Sequence, residues 1–273
     1  MAKFIGFLKM HGTGNDFVIF DGRKSRVSLS TKKIREIADR KFGIGCDQLI
    51  LIENSKDADC FMKIYNSDGG EVSSCGNATR CVGAIIMAEK KENSAKIRTK
   101  AGLLEAKKDK KGLISVNMGK ARLNWNEIPL SKKMDTLHLD LKIGVLSDPV
   151  GVSMGNPHAV FFVDDVEKID LARLGPALEH HKLFPERANI GVAEIESPAS
   201  IRLRVWERGA GETLSCGTGA CAALVAASRR GLTERKATIK LKGGSLTVEW
   251  LKNGHIIMSG PVAMVYIGKI DLH

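Results

Sequence analysis

Cys75 and Cys216 stand in matching contexts, Ser74-Cys75-Gly76 and Ser215-Cys216-Gly217. Each is followed by an apolar run of helical character, so each thiol falls where a helix exposes unpaired N–H groups and the positive end of its dipole. That setting favours a thiolate and lowers its pKa. The same N–H groups bind a carboxylate, and Gly76 and Gly217 let the backbone approach a ligand closely. One thiolate could take a proton from one face of an α-carbon while the other thiol delivers a proton to the opposite face. The result is inversion, and near-symmetry of this kind suits a two-base racemase or epimerase rather than a hydrolase. A carbon acid that weak requires a dry site with dipoles aimed at the developing enolate.

The remaining cysteines, Cys46, Cys60, Cys81 and Cys221, read as small buried hydrophobes. Among polar residues, Asn15, Gln48, Asn156 and Asn189 are ordinary turn formers singly, but they recur in pairs, which makes ligand contact an equal alternative. Asn66 is matched by Glu207 and Ser67 by Arg208. That asymmetry suits an asymmetric ligand, with Glu207 for an ammonium and Arg208 for a carboxylate; the alternative is a surface ion pair. Glu71 and Glu212 recur as well and read as bracing residues. His158 has no partner, since position 17 is Phe17; it either tunes a thiol or caps a strand.

Positioning these residues falls to a duplicated chain. Subtracting 75 from 216 gives an offset of 141, at which Gly14-Asn15 falls on Gly155-Asn156, Gln48 on Asn189, Glu71 on Glu212 and Gly119 on Gly260. The matches collect at residue types that build turns and sites, so they imply two similar domains flanking a cleft. Short alternating runs at 17–20, 49–52, 61–65, 96–99 and 113–118 predict strands, echoed at 159–163, 192–195, 201–206, 237–241 and 255–259. A capped amphipathic helix is expected over 30–40, with a weaker echo at 171–180. The segments after the two cysteines are apolar nearly all round and therefore buried. The fold class expected is α+β, two pseudo-symmetric domains, each a mostly antiparallel sheet or barrel wrapped around a central helix. The first domain is placed at 1–120, the second at 121–260, with 124–140 as the crossover and 261–273 returning to the first.

The 273 residues, 43% hydrophobic and 5% aromatic, suffice for two ordinary aliphatic cores. The start of the chain lacks a signal-peptide layout, and no run reaches the roughly 18 apolar residues of a membrane helix. A soluble cytoplasmic protein with no membrane partner is expected. The formal charge of +11 comes from scattered lysines and arginines without aromatic interleaving, so a solvated surface is preferred over nucleic-acid binding. No Cys-x-x-Cys pair or zinc-type spacing is present, so neither a metal nor a disulfide framework is expected.

The motifs Met10-His11-Gly12-Thr13-Gly14-Asn15-Asp16-Phe17, Cys46-Asp47-Gln48, Asn66-Ser67-Asp68-Gly69, Cys75-Gly76-Asn77, Met154-Gly155-Asn156-Pro157-His158, Pro185-Glu186-Arg187-Ala188-Asn189 and Cys216-Gly217-Thr218-Gly219 together resemble the diaminopimelate epimerase family across almost the whole chain. The resemblance implies a cofactor-independent enzyme that interconverts LL- and meso-diaminopimelate on the route to lysine and peptidoglycan. It implies Cys75 and Cys216 as the acid/base thiols, supported by His158 and Glu207. Substrate contacts implied are Asn15, Gln48, Asn66, Gly76, Asn77, Asn156, Asn189, Glu207, Arg208, Gly217 and Thr218. It also implies a homodimer that closes around substrate. The chain departs from the family pattern at Ala78, where Gly is common, and at Thr218, where Ser is frequent. A proline racemase-like enzyme is the nearest rival; such enzymes usually carry Cys-Gly-His in the first half, where this chain has Cys75-Gly76-Asn77. A thiol redox or sensor protein would explain the cysteines but not the paired Asn and Gln positions.

Overall fold

In the computed structural model, which describes residues 4–25 and 27–271, the alternating runs form strands and the apolar runs after the cysteines form helices. The chain divides into two compact units, residues up to 116 together with those from 260 onward, and residues 117–259. The expected boundaries at 120 and 260 also took in residues 1–3 and 272–273, which lie outside the described residues.

In the first unit Phe4–Gly12 pairs antiparallel with both Asn15–Asp21 and Ala263–Asp271. Helix α1 (Thr31–Ala38), capped by Ser30 accepting from the Lys33 N–H, carries the chain to Gln48–Glu53, parallel to Asn15–Asp21. An antiparallel turn leads to Cys60–Asn66. Helix α2 (Gly76–Lys90) then crosses to Ser94–Thr99, parallel to Cys60–Asn66, and two further antiparallel strands, Gly102–Lys108 and Ile114–Lys120, complete the order.

The second unit repeats this order. Val150–Ser153 and Pro157–Phe162 form its hairpin, α3 (Leu171–Glu179) leads to the parallel strand Asn189–Ser197, and Ser200–Glu207 returns antiparallel. Helix α4 (Gly217–Arg229) crosses to Lys236–Leu241, followed by Gly244–Trp250 and His255–Gly260. Adding 141 to the starts at Gln48, Gly76 and Ile114 gives 189, 217 and 255, the starts of their counterparts, so the duplication runs without a gap through three-dimensional elements. The parallel registers agree too: Phe17 faces Gln48 in one unit and His158 faces Asn189 in the other.

Both cysteine helices are largely buried because their sequences are apolar nearly all round. Every residue of α4 from Gly219 to Ala227 is buried, packed with Val205, Ile239, Val248 and Met258 in an aliphatic core. Each Leu or Val so enclosed contributes about 1.5–3 kcal/mol. Residues expected to form a crossover at 124–140 instead pack on the second unit, where Ile128, Leu130 and Leu139 join a core with Phe161 and Ile190. The strands Phe4–Gly12, Gly102–Lys108, Gly244–Trp250 and Ala263–Asp271 were outside the sequence expectation. Ala263–Asp271 lies largely exposed, so its burial shows little of the alternation that reveals a half-buried strand.

Candidate active site

The two cysteines are the N-caps of α2 and α4. Cys75 and Cys216 have extended backbones (φ −150° and −117°), and each sulfur accepts the N–H of the third helical residue: Ala78 at 3.5 Å and Gly219 at 3.4 Å. This is ordinary capping geometry with sulfur in place of a hydroxyl. Ala78, standing where the family pattern favours glycine, therefore still supplies its N–H. Gly219 is needed for space, since a Cβ there would lie 3.0 Å from Val205 and 3.2 Å from the Cys216 sulfur.

Each sulfur also faces an acceptor. The Cys75 thiol donates to Asn15 Oδ1 at 3.8 Å, and the Cys216 thiol donates to Glu207 Oε2 at 3.0 Å. Thr213 Oγ1 holds the other oxygen of Glu207 at 2.5 Å. The carboxylate thus serves the thiol directly. Asn156 Nδ2 donates to Thr218 Oγ1 at 3.3 Å, and that hydroxyl lies 3.6 Å from the Cys216 sulfur. In the first unit Asn77 Nδ2 donates to Asn15 Oδ1, also at 3.3 Å, so the pairs 15/77 and 156/218 correspond at the 141 offset.

Electrostatics correct one expectation. A helix N-terminus favours a thiolate, yet burial pushes the Cys216 thiol well above its ordinary range and the neighbouring Glu207 carboxylate pushes it further; Thr218 and the Gly219 N–H oppose this without prevailing. Desolvation of a fully enclosed sulfur outweighs two hydrogen bonds from neutral groups. Cys75 is only partly buried. Of the others, Cys46 is pushed up to about 11 and Cys60 and Cys81 to about 12, in each case by burial first, and Cys221 is buried.

His158 reaches the site through Asn156. It is fully buried on Pro157–Phe162, and its Nε2 meets Asn156 Oδ1 at 3.1 Å, so it holds Asn156, which in turn holds Thr218. Burial, then the charge of Arg208, push its pKa down to about 3, leaving a neutral ring. Asn189 is buried, donates to the Pro157 carbonyl and accepts the Arg208 N–H at 2.9 Å each. Exposed Arg208 also donates to the Glu186 carbonyl. Gln48 donates to Asn66 Oδ1 at 2.9 Å across neighbouring strands, and its own Oε1 is buried without a hydrogen-bond partner among the described residues. Gly76 and Gly217 open the two helices. Glu212 pairs with Arg204 and Lys242, and Glu71 with Lys100, so both brace loops.

Sequence reasoning missed Glu179. Buried at the end of α3, it accepts from Trp206 Nε1 at 2.8 Å and from the Gly209 N–H at 2.9 Å, fixing the turn that carries Glu207 and Arg208. Gly175 allows that approach, since a Cβ would lie 2.4 Å from the Trp206 ring. A carboxylate on the otherwise apolar face of α3 was the available signal. Asp47, Arg80 and Thr213 were also missed. Among the described residues no group of three or more His, Cys, Asp or Glu side chains is placed to hold a metal ion, and no helix is long and apolar enough to cross a membrane.

The family model described as diaminopimelate epimerase matches residues 7–124 and 150–265. The diaminopimelate epimerase of Acidiphilium cryptum is 54% identical, over 99% of this chain and 98% of that protein. That of Rhodospirillum centenum is 53% identical, over 97% of this chain and 92% of that protein. Among solved structures, a phenazine biosynthesis protein of the PhzF family from Bacillus anthracis (TM-score 0.71, 17% identity, covering 98% of this chain and 99% of that one) shares the fold. So does a hydroxyproline epimerase from Agrobacterium vitis (TM-score 0.71, 14% identity, covering 100% and 94%). The rival reading, a proline racemase-like enzyme, shares architecture at low identity, whereas the relatives at half identity span nearly the full length. The chain belongs to the diaminopimelate epimerase family.

Proposed function

We propose that this chain is an isomerase that interconverts LL- and meso-diaminopimelate, in lysine and peptidoglycan biosynthesis, by proton transfer between the substrate α-carbon and the sulfurs of Cys75 and Cys216. The observation that carries the reading is that each capping sulfur has both an N–H donor, which suits the thiolate, and an oxygen acceptor, which suits the thiol. A group that must be base in one direction and acid in the other needs both. The thiolate takes the α-proton as the C–H electron pair passes into the substrate carboxylate. The second thiol then gives its proton to the opposite face, and the sulfurs end with their protonation states exchanged. The N-termini of α2 and α4 suit a carboxylate that gains charge in this step. No cofactor takes part in this scheme. Glu207 and His158 support Cys216, the second through Asn156 and Thr218. Asn15, Gln48, Asn66, Gly76, Asn77, Asn156, Asn189, Arg208, Gly217 and Thr218 form the substrate-binding set. The unpaired Gln48 Oε1 is well suited to accept from a substrate ammonium.

The test is incubation of the reduced protein with LL-diaminopimelate in D₂O. Meso product with α-deuterium is expected from the natural chain, and neither Cys75→Ser nor Cys216→Ser should turn over. Full activity in either variant would contradict two thiols, and no exchange with the natural chain would remove the epimerase reading.

A homodimer is proposed through Ala263–Asp271. Met264, Val265, Tyr266 and Ile267 stand 44–70% exposed in succession on that strand, an apolar surface that a second copy would cover. Ile267→Glu should halve the mass measured by light scattering, and an unchanged mass would reject this surface.

A further inference from the structure

The Asn15 side chain lies between a residue that can only accept and an amide that is itself held in one orientation. Its Nδ2 donates to Asp47 Oδ2 at 3.0 Å, and a carboxylate only accepts. On its other side, Asn15 Oδ1 accepts from Asn77 Nδ2 at 3.3 Å. Asn77 is oriented in turn by Arg80, whose guanidinium only donates and gives Nη1 to Asn77 Oδ1 at 2.8 Å. Arg80 is fully buried in α2 and also reaches Thr13 Oγ1. The chain Arg80, Asn77, Asn15, Asp47 therefore runs from a cation to an anion, and each amide within it has one orientation. The atom left facing Cys75 is an oxygen.

We infer that Asp47 and Arg80 are positioning residues that lock Asn15 with its oxygen toward Cys75, so that the first thiol always meets an acceptor. Asp47 is itself anchored. Arg40 Nη2 donates to its Oδ1 at 2.7 Å, and Asp47 and Asp16 exchange backbone-to-carboxylate hydrogen bonds at 3.1 and 2.9 Å. Asp16 is paired with Lys9, a lysine 8% exposed, and with Arg40. Burial opposes the charge on Asp16, but hydrogen bonds from Arg40 and Lys9 outweigh it and bring its pKa down to about 2. The anchor is therefore ionised at neutral pH.

This device belongs to the first half alone. At the 141 offset Asp47 becomes Ala188, Arg80 becomes Cys221 and Asp16 becomes Pro157. There His158 engages Asn156 Oδ1, so Asn156 turns its nitrogen toward Thr218 where Asn15 turns its oxygen toward Cys75. The duplicated asparagines are held in opposite senses, and the second thiol takes its acceptor from Glu207 instead. Ancestral symmetry is broken at the level of amide orientation, which lets each sulfur be tuned separately.

The inference rests on the reading of Cys75 as a reacting thiol, and its test distinguishes the two. The full chain, reduced, is pulsed with iodoacetamide across pH, and alkylation of the Cys75 peptide is read by mass spectrometry, with no substrate present. Asn15→Leu removes the acceptor and should move the alkylation midpoint down by about half to one pH unit. Asp47→Ala should move it in the same direction. In the double variant the Asp47 effect should vanish, because Asp47 acts through Asn15. A full Asp47 shift in the Asn15→Leu background would make Asp47 a mere point charge and overturn the inference. So would no Asp47 shift at all. If Asn15→Leu does not fold, Asn15→Ala serves the same cycle. Failure of the natural chain to epimerise diaminopimelate would leave these midpoints, and the inference, intact.

Discussion

Replacing Glu207 by glutamine tests the central electrostatic claim for Cys216. The carboxylate oxygen lies 3.0 Å from the sulfur, so ionising Cys216 places two negative charges at that separation. Coulomb repulsion there is about 1.4 kcal/mol in a water-like dielectric and about 5.5 kcal/mol at an effective value of about 20. Divided by about 1.4 kcal/mol per pKa unit, these limits give a shift of about one to four units. Glu207→Gln removes the charge while keeping the shape and a partner for Thr213. Burial of the sulfur is unchanged, so the whole shift is assignable to the carboxylate. Iodoacetamide alkylation of Cys216, followed against pH in a Cys75→Ser background, should have its midpoint at least about one unit lower in Glu207→Gln. Turnover in the Cys75-containing chain should fall by about 10²-fold, the size of a disabled proton-transfer partner. A midpoint that stays within a few tenths of a unit, in a variant that remains folded, would refute the reasoning and leave burial as the sole cause.

Two further outcomes follow from the same geometry. Gly219→Ala places a Cβ 3.0 Å from Val205 and 3.2 Å from the Cys216 sulfur, so thermal unfolding should show a loss of about 1–3 kcal/mol together with reduced turnover; an unaltered midpoint would mean that the cap relaxes freely. His158, its pKa pushed down from 6.5 to about 3, binds no proton in the folded state where the unfolded chain does. Its contribution is therefore complete above about pH 6.5 and lost as pH falls toward about 3, at about 1.4 kcal/mol per unit. Urea unfolding at pH 6.5 and 5 should differ by about 1–2 kcal/mol less in His158→Gln than in the natural chain, and an equal difference would place the titration elsewhere.

The two cysteines, their helices and the internal repeat were legible because they depend on local chemistry. Ser-Cys-Gly before an apolar run is a cap, a close-approach glycine and a buried helix, each readable from nearest neighbours. The 141 offset survived at Gly14, Asn15, Gln48 and Gly76 because turns and polar contacts admit few residue types there. The helix at 30–40 was equally readable, from Ser30 as its cap and the spacing of Ile34, Ile37 and Ala38. The strand Ala263–Asp271 is not legible because exposure removes the alternation that marks a half-buried strand.

Charge and proton placement were settled elsewhere. From the sequence Cys216 was a thiol that a helix dipole should ionise. Only the return of Ser200–Glu207 beside α4, with Glu179 bracing the turn beyond it, brings a carboxylate to 3.0 Å and closes the sulfur from water. Asp47 read only as part of a motif, and Arg80 carried no reading. Folding set them at opposite ends of Asn15 and Asn77 and so chose which amide atom faces Cys75. Residue types and their spacing determined which groups can carry protons. The tertiary structure decided which state each group prefers, because desolvation, Coulomb energy and hydrogen-bond direction depend on neighbours that lie far away in the chain.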